Sequence, residues 1–325
     1  MASPSSNEII TDISPYIRVY KDGTVERMFS SPFVPPSRED PITGVSSKDI
    51  NISSDVSARL YLPKITDLFH DEKLPTLVYF HGGAFCLESA YSFLDHRYLN
   101  LLVSQAKVIA ISVEYRLAPE CPLPVCYNDS WTALQWVASH VEKNSNTDDK
   151  LDPWILNYAN FNKLYIGGDS AGANIVHNLA IGAGDERLKG NLKIFGAFLS
   201  FPYFWGSKAE NNRGLTEEKS YPYRLWLFVY PSVPGGIDNP LINPLIDDAP
   251  NLSGLDCQKL LVCVGEKDEL REMGIHYVEE LKKSDWKGEV DLVDVEGEGH
   301  CFHIFDTETE KAKNLITRLA SFMRG

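Results

Sequence analysis

The chain has 325 residues and a formal net charge of −14, with no cluster of lysines and arginines to offset it. Such a surface repels phosphate backbones and anionic lipid heads, which argues against nucleic acid or membrane partners. The 43% of hydrophobic residues is enough for a buried core, yet no apolar run reaches the ~20 residues a membrane span needs.

The first eight residues have neither a basic start nor an apolar stretch. They do not resemble a secretory signal, so a cytoplasmic, or additionally nuclear, location is expected. Residues 1–50 read as an irregular arm. Two short strand-like pieces, Ile17–Tyr20 and 25–29, flank the turn Lys21-Asp22-Gly23-Thr24. Tyr16, Tyr20, Phe29 and Phe33 make this arm more aromatic than a disordered tail, so it is expected to pack on the body.

From residue 56 a regular rhythm begins. Segments 56–62, 77–80, 108–113, 164–168, 194–199, 260–264 and 289–295 read as strands. Helical periodicity appears at 131–140, 172–181 and 309–323. Short apolar strands alternating with helices predict an α/β fold: a central, mostly parallel sheet covered on both faces. Residues 204–230 break the rhythm with a mixture of aromatic and charged side chains and read as a helical insertion. Together with the N-terminal arm it would form a helical cap on a single domain spanning 1–325. Six cysteines lie without metal-ligand spacing and read as reduced, small hydrophobes.

The strongest chemical signal is Gly168-Asp169-Ser170-Ala171-Gly172, between a strand and a helix. A serine on such a turn is held in a strained backbone conformation with its hydroxyl above the sheet. It needs a base, and the base needs a carboxylate to orient it. In this type of fold the order is serine, acid, histidine. His300 follows the last strand and hangs in a loop after Gly299. Asp268 follows the strand at 260–264, whereas Glu266 and Glu269 read as solvated charges. His303 reads as a partly buried helix residue. His81-Gly82-Gly83-Ala84 follows a strand end, and glycine amides there can face a substrate oxygen. Gly82 and Gly83, with the amide of Ala171, are the expected oxyanion donors. His81 is expected to bond loop backbone.

These residues sit in longer segments that resemble the plant carboxylesterases of the hormone-sensitive-lipase-like group, within the α/β-hydrolase fold. The matching stretches are Tyr79-Phe80-His81-Gly82-Gly83-Ala84-Phe85, Glu114-Tyr115-Arg116-Leu117-Ala118-Pro119-Glu120 and Asp152-Pro153-Trp154. They continue through Gly168-Asp169-Ser170-Ala171-Gly172-Ala173-Asn174-Ile175, Pro234-Gly235-Gly236-Ile237-Asp238-Asn239-Pro240 and Lys267-Asp268-Glu269-Leu270-Arg271. The resemblance implies Ser170, Asp268 and His300 as a triad, with Gly82, Gly83 and Ala171 as oxyanion donors. One departure is Ala84, where the group often has glycine.

The group includes esterases, 2-hydroxyisoflavanone dehydratases, alkaloid synthases and a gibberellin receptor that has lost hydrolysis. With all three triad residues present, hydrolysis of a hydrophobic small-molecule ester is expected, for example an alkaloid methyl ester. A lyase or cyclase using the same pocket is the alternative. Ala84, Phe204, Trp205, Trp226 and Phe302 are expected to line the pocket. No cofactor or metal signature is present, and the protein is expected to work as a monomer or homodimer.

Overall fold

The computed structural model describes residues 8–67, 73–142, 151–207 and 220–325. Residues 1–7 of the arm and 208–219 of the expected insertion lie outside the described residues. Eight strands form the main sheet, in the order β11-β10-β9-β8-β6-β7-β5-β4. They are β4 (Ser46–Asn51), β5 (Ser57–Leu62), β6 (Leu74–Phe80), β7 (Ile109–Glu114), β8 (Ala159–Asp169), β9 (Ile194–Ser200), β10 (Cys257–Gly265) and β11 (Glu289–Val295). From β7 to β11 every neighbouring pair is parallel; β4 and β5 join antiparallel at one edge.

The central strands are buried on both faces, which is why β6, β7, β9 and β10 read as continuous apolar runs. One face packs against α2 (Val125–Ser139), α4 (Ala171–Asp185) and α6 (Arg271–Lys283). The other packs against α1 (Phe93–Ala106) and α8 (Glu310–Arg324). Short helices α3 (Pro153–Tyr158) and α7 (Phe302–Phe305) complete the layers, and α5 (Tyr221–Val229) lies in the insertion. Thr309 starts α8 by accepting the Ala312 amide at 3.1 Å, a cap worth about 1 kcal/mol.

The arm departs from expectation. It is not helical: β1 (Ile9–Ile13), β2 (Ile17–Tyr20) and β3 (Val25–Arg27) make a small antiparallel sheet of their own. It packs on the body, as its aromatics suggest. The Tyr16 ring meets Phe29 at 5.7 Å and Tyr221 at 4.9 Å, and Arg224 donates to the Asp12 carbonyl at 2.8 Å. The cap is therefore part strand and part helix. Strand β4 begins at the end of the arm; its polar residues suit an exposed sheet edge and hide it from an apolar search.

Helix α1 carries no clean amphipathic signature. Asp95 and Asn100 lie on its buried side and interrupt the apolar stripe that would announce it. Among the described residues, no helix is long and apolar enough to cross a membrane. All six cysteines are free, and all but Cys121 are buried.

Candidate active site

The site lies beyond the carboxyl ends of β6, β8, β10 and β11, where open parallel sheets place their ligands. Strand β8 ends at Asp169, and Ser170 turns directly into α4 with φ +52° and ψ −115°. That is an unfavourable backbone region for a residue with a Cβ, tolerated because its surroundings fix it. The Ser170 amide donates to the Ser200 carbonyl at 2.9 Å, and the Ser170 carbonyl accepts from Asn174 and Tyr203 at 3.0 Å each. The flanking glycines are steric requirements. A Cβ on Gly172 would stand 1.9 Å from the Phe80 carbonyl oxygen, and one on Gly168 would stand 2.5 Å from Gly172.

His300 and Asp268 converge on that serine. The His300 Nε2 is 2.8 Å from the Ser170 Oγ, and its Nδ1 is 2.7 Å from the Asp268 Oδ2. A carboxylate at Nδ1 selects the tautomer that donates there and leaves Nε2 to accept the hydroxyl proton. The second oxygen of Asp268 accepts the Leu270 amide at 3.0 Å, which fixes the carboxylate plane. Burial opposes charge on His300, but the adjacent Asp268 carboxylate, helped by Asp169 and Glu269, outweighs it. The ring is held above its ordinary 6.5.

The loops that carry Asp268 and His300 are zipped together. Glu266 and Lys267 donate their amides to the Val295 and Glu298 carbonyls at 3.1 and 2.8 Å, and the Gly297 amide donates to the Glu266 carboxylate at 2.6 Å. Glu266 is thus a loop tie rather than only a solvated charge, and Glu269 turns toward the cavity and accepts from Ser220 at 3.1 Å. Gly299 does not shape the base loop, since a side chain there would meet open space. Gly297, at φ +73°, makes the turn. His303 is fully buried, stacks on Phe201 and is held neutral by burial, with its pKa at about 3.

The glycine loop after β6 approaches from the other side. His81 is buried, stacked on Tyr115 and bonded through Nδ1 to the Gly82 carbonyl at 2.8 Å, so it braces the loop. Gly82 lies close against Asp169: a Cβ there would stand 2.2 Å from Asp169 Oδ2, so only glycine fits. It also lines the cavity over Ser170. The amides of Gly83, Ala84 and Ala171 make no hydrogen bond among the described residues. Asp169 also accepts from the Tyr79 hydroxyl, and burial pushes its carboxyl up to about 6. No sequence signal distinguished it beyond its place in the serine motif.

A cavity of about 360 Å³ opens over Ser170. Its floor is Gly83, Ala84, Ser170 and His300; its walls include Tyr16 and Phe29 from the arm, Tyr221 and Leu225 from α5, and Leu94, Asp95, Ile304 and Phe305. Of the five pocket residues expected from sequence, only Ala84 lines it. Phe204 and Trp205 are buried in the core, Phe204 against Tyr277 at 5.0 Å. Trp226 is fully buried and donates to the Gly236 carbonyl at 3.0 Å. Phe302 packs edge-on against Phe201 at 5.9 Å. Large aromatics supply core volume first, and sequence alone does not separate core from cavity. Among the described residues, no three His, Cys, Asp or Glu side chains are grouped to hold a metal ion.

A family profile described as alpha/beta hydrolase fold matches residues 77–304. The chain is 56% identical to 2-hydroxyisoflavanone dehydratase of Glycyrrhiza echinata, covering 99% of this chain and 98% of that protein. It is 52% identical to tabersonine synthase of Catharanthus roseus, over 98% and 99% of the two chains. A solved esterase of Pyrobaculum calidifontis superposes with a TM-score of 0.67 at 27% identity, covering 88% of this chain and 86% of the other.

Proposed function

Because this chain belongs to the alpha/beta hydrolase family, we propose that it is a serine carboxylesterase acting on esters of hydrophobic small molecules. The observation that carries this reading is the unbroken chain from Asp268 through His300 to Ser170, with contacts of 2.7 and 2.8 Å. The Ser170 hydroxyl attacks the ester carbonyl as His300 takes its proton. The resulting oxyanion is held by the amides of Gly83 and Ala171, joined by that of Ala84. Collapse expels the alcohol, which receives the proton from His300 and leaves an acyl group on Ser170. Water, deprotonated by His300, attacks the acyl carbon; the proton returns to Ser170 as the acid leaves.

Asp268 keeps the imidazole oriented and stabilises its charged form. The aromatic walls favour a bulky apolar substrate, of which an alkaloid methyl ester is one example. The test is turnover of 4-nitrophenyl esters by the wild type and by Ser170→Ala. Undiminished turnover in the variant overturns the mechanism.

A second reading has specific support. The relative at 56% identity is named a dehydratase, and the one at 52% a synthase. In this reading His300 moves a proton and the oxyanion amides hold a carbonyl while the substrate eliminates or cyclises. Product mass separates the two: hydrolysis adds one water, dehydration removes one, and cyclisation leaves the mass unchanged.

A further inference from the structure

We propose that Asp95 is a specificity residue that binds a protonated amine on the substrate, so that the preferred ligand is cationic as well as hydrophobic. This rests on the cavity above Ser170 being the substrate site.

Asp95 stands in the first turn of α1, is 2% exposed and lines that cavity. Its Oδ2 accepts from the Ser92 hydroxyl at 3.1 Å, while its Oδ1 has no hydrogen-bond partner. A buried carboxylate oxygen without a partner is costly, so a structural role alone is a poor account of it. The ordinary structural role at this helix position is to accept the amide of the capping residue. Here the Ser92 amide donates to the Ser89 carbonyl instead, at 3.0 Å.

The surroundings point to the sign of the ligand. Glu88, Asp169, Asp268 and Glu269 line the same cavity, and Lys267 is the one lysine or arginine among its lining residues. Among the described residues, none of these five carboxylates is ion-paired to a lysine or arginine. Glu88 accepts from Ser31, Glu269 from Ser220, Asp169 from Tyr79 and Asp268 from His300. Burial and the neighbouring Asp169 and Glu88 push the Asp95 carboxyl upward, because each opposes another negative charge there. An ammonium group supplies what is missing: an N–H donor for Oδ1 and a positive charge among carboxylates. A neutral ester satisfies neither requirement.

The test compares 4-nitrophenyl 4-(dimethylaminomethyl)benzoate, cationic at neutral pH, with the isosteric 4-nitrophenyl 4-isobutylbenzoate. In the wild type the cationic ester should have a kcat/KM at least about tenfold higher, mostly through KM. Asp95→Asn should lower kcat/KM for the cationic ester about tenfold more than for the isobutyl ester, so that the preference disappears. A wild type that does not prefer the cationic ester overturns the proposal without any variant. So does a folded Asp95→Asn that retains the preference. Binding of N,N-dimethyl-3-phenylpropylamine to Ser170→Ala, followed by calorimetry, needs no turnover. Binding there that is lost in Ser170→Ala/Asp95→Asn supports the assignment even if ester hydrolysis fails, and binding unaffected by the second substitution contradicts it.

Discussion

The floor and the walls of the cavity are built on different principles. The floor comes from loops at neighbouring strand ends, where glycines are demanded by sterics and the side chains of Ser170, His300 and Asp268 are held to one another. Ser170 is clamped through its amide and carbonyl, and Gly172 fits only because it lacks a Cβ. The walls come from the arm, α1, α5 and α7, segments far apart in sequence that meet through aromatic and aliphatic contacts. Tyr16 meets Tyr221, and Phe29 meets Phe305 at 5.6 Å. A floor of this kind tolerates little change. Walls of this kind can vary while the chemistry stays the same.

The sharpest way to break this contrast is Ser170→Ala, which should lower kcat for a nitrophenyl ester by ~10⁵-fold without altering the thermal midpoint. An activity loss confined to KM would deny the floor its chemical role. Asp268→Asn should cost ~10³–10⁴-fold in kcat, since the imidazole loses the partner that fixes its tautomer. The pH profile sharpens the same point. His300 must be neutral to act as a base, and its pKa is raised above 6.5. The rate should therefore rise with pH through a midpoint above that value. Removing the Asp268 charge should move the midpoint downward, and an unmoved midpoint would assign the titration to another group.

Gly172→Ala comes next. With its Cβ 1.9 Å from the Phe80 oxygen, it should cost at least about 3 kcal/mol, read as a lower thermal midpoint or loss of soluble protein. The smallest effect is expected in the wall. Tyr16→Ala should raise KM for a naphthyl ester by about five-fold while leaving acetate hydrolysis unchanged, because only buried apolar contact is lost. A fall in kcat for both esters would show that wall and floor are coupled.

The same division explains what was legible in the sequence. Strand β11 reads directly as Glu289–Val295, and Ser170, Asp268 and His300 stand together where strand ends predict them. Such residues obey backbone rules that leave a local trace. The close approach of Gly82 to Asp169, which leaves room only for glycine, is made across two strand ends and is invisible along the chain. Trp226, Phe204 and Trp205 looked like wall because they are aromatic, yet they fill the core. Tyr16 and Phe29, in the arm, take that role instead. Asp95 was hidden for a related reason: its helix has buried polar residues that blur the stripe used to recognise helices.

The arm carries one more consequence. It is tied down by a few polar clamps, chiefly Arg27 to the Cys86 carbonyl at 2.7 Å and to the Ala118 carbonyl at 3.1 Å. A protease cut just after Phe29, with release of the severed piece, would turn a walled cleft into an open trough. The nucleophile would keep its orientation, and large and small esters would be turned over at converging rates. Selectivity would disappear before reactivity did.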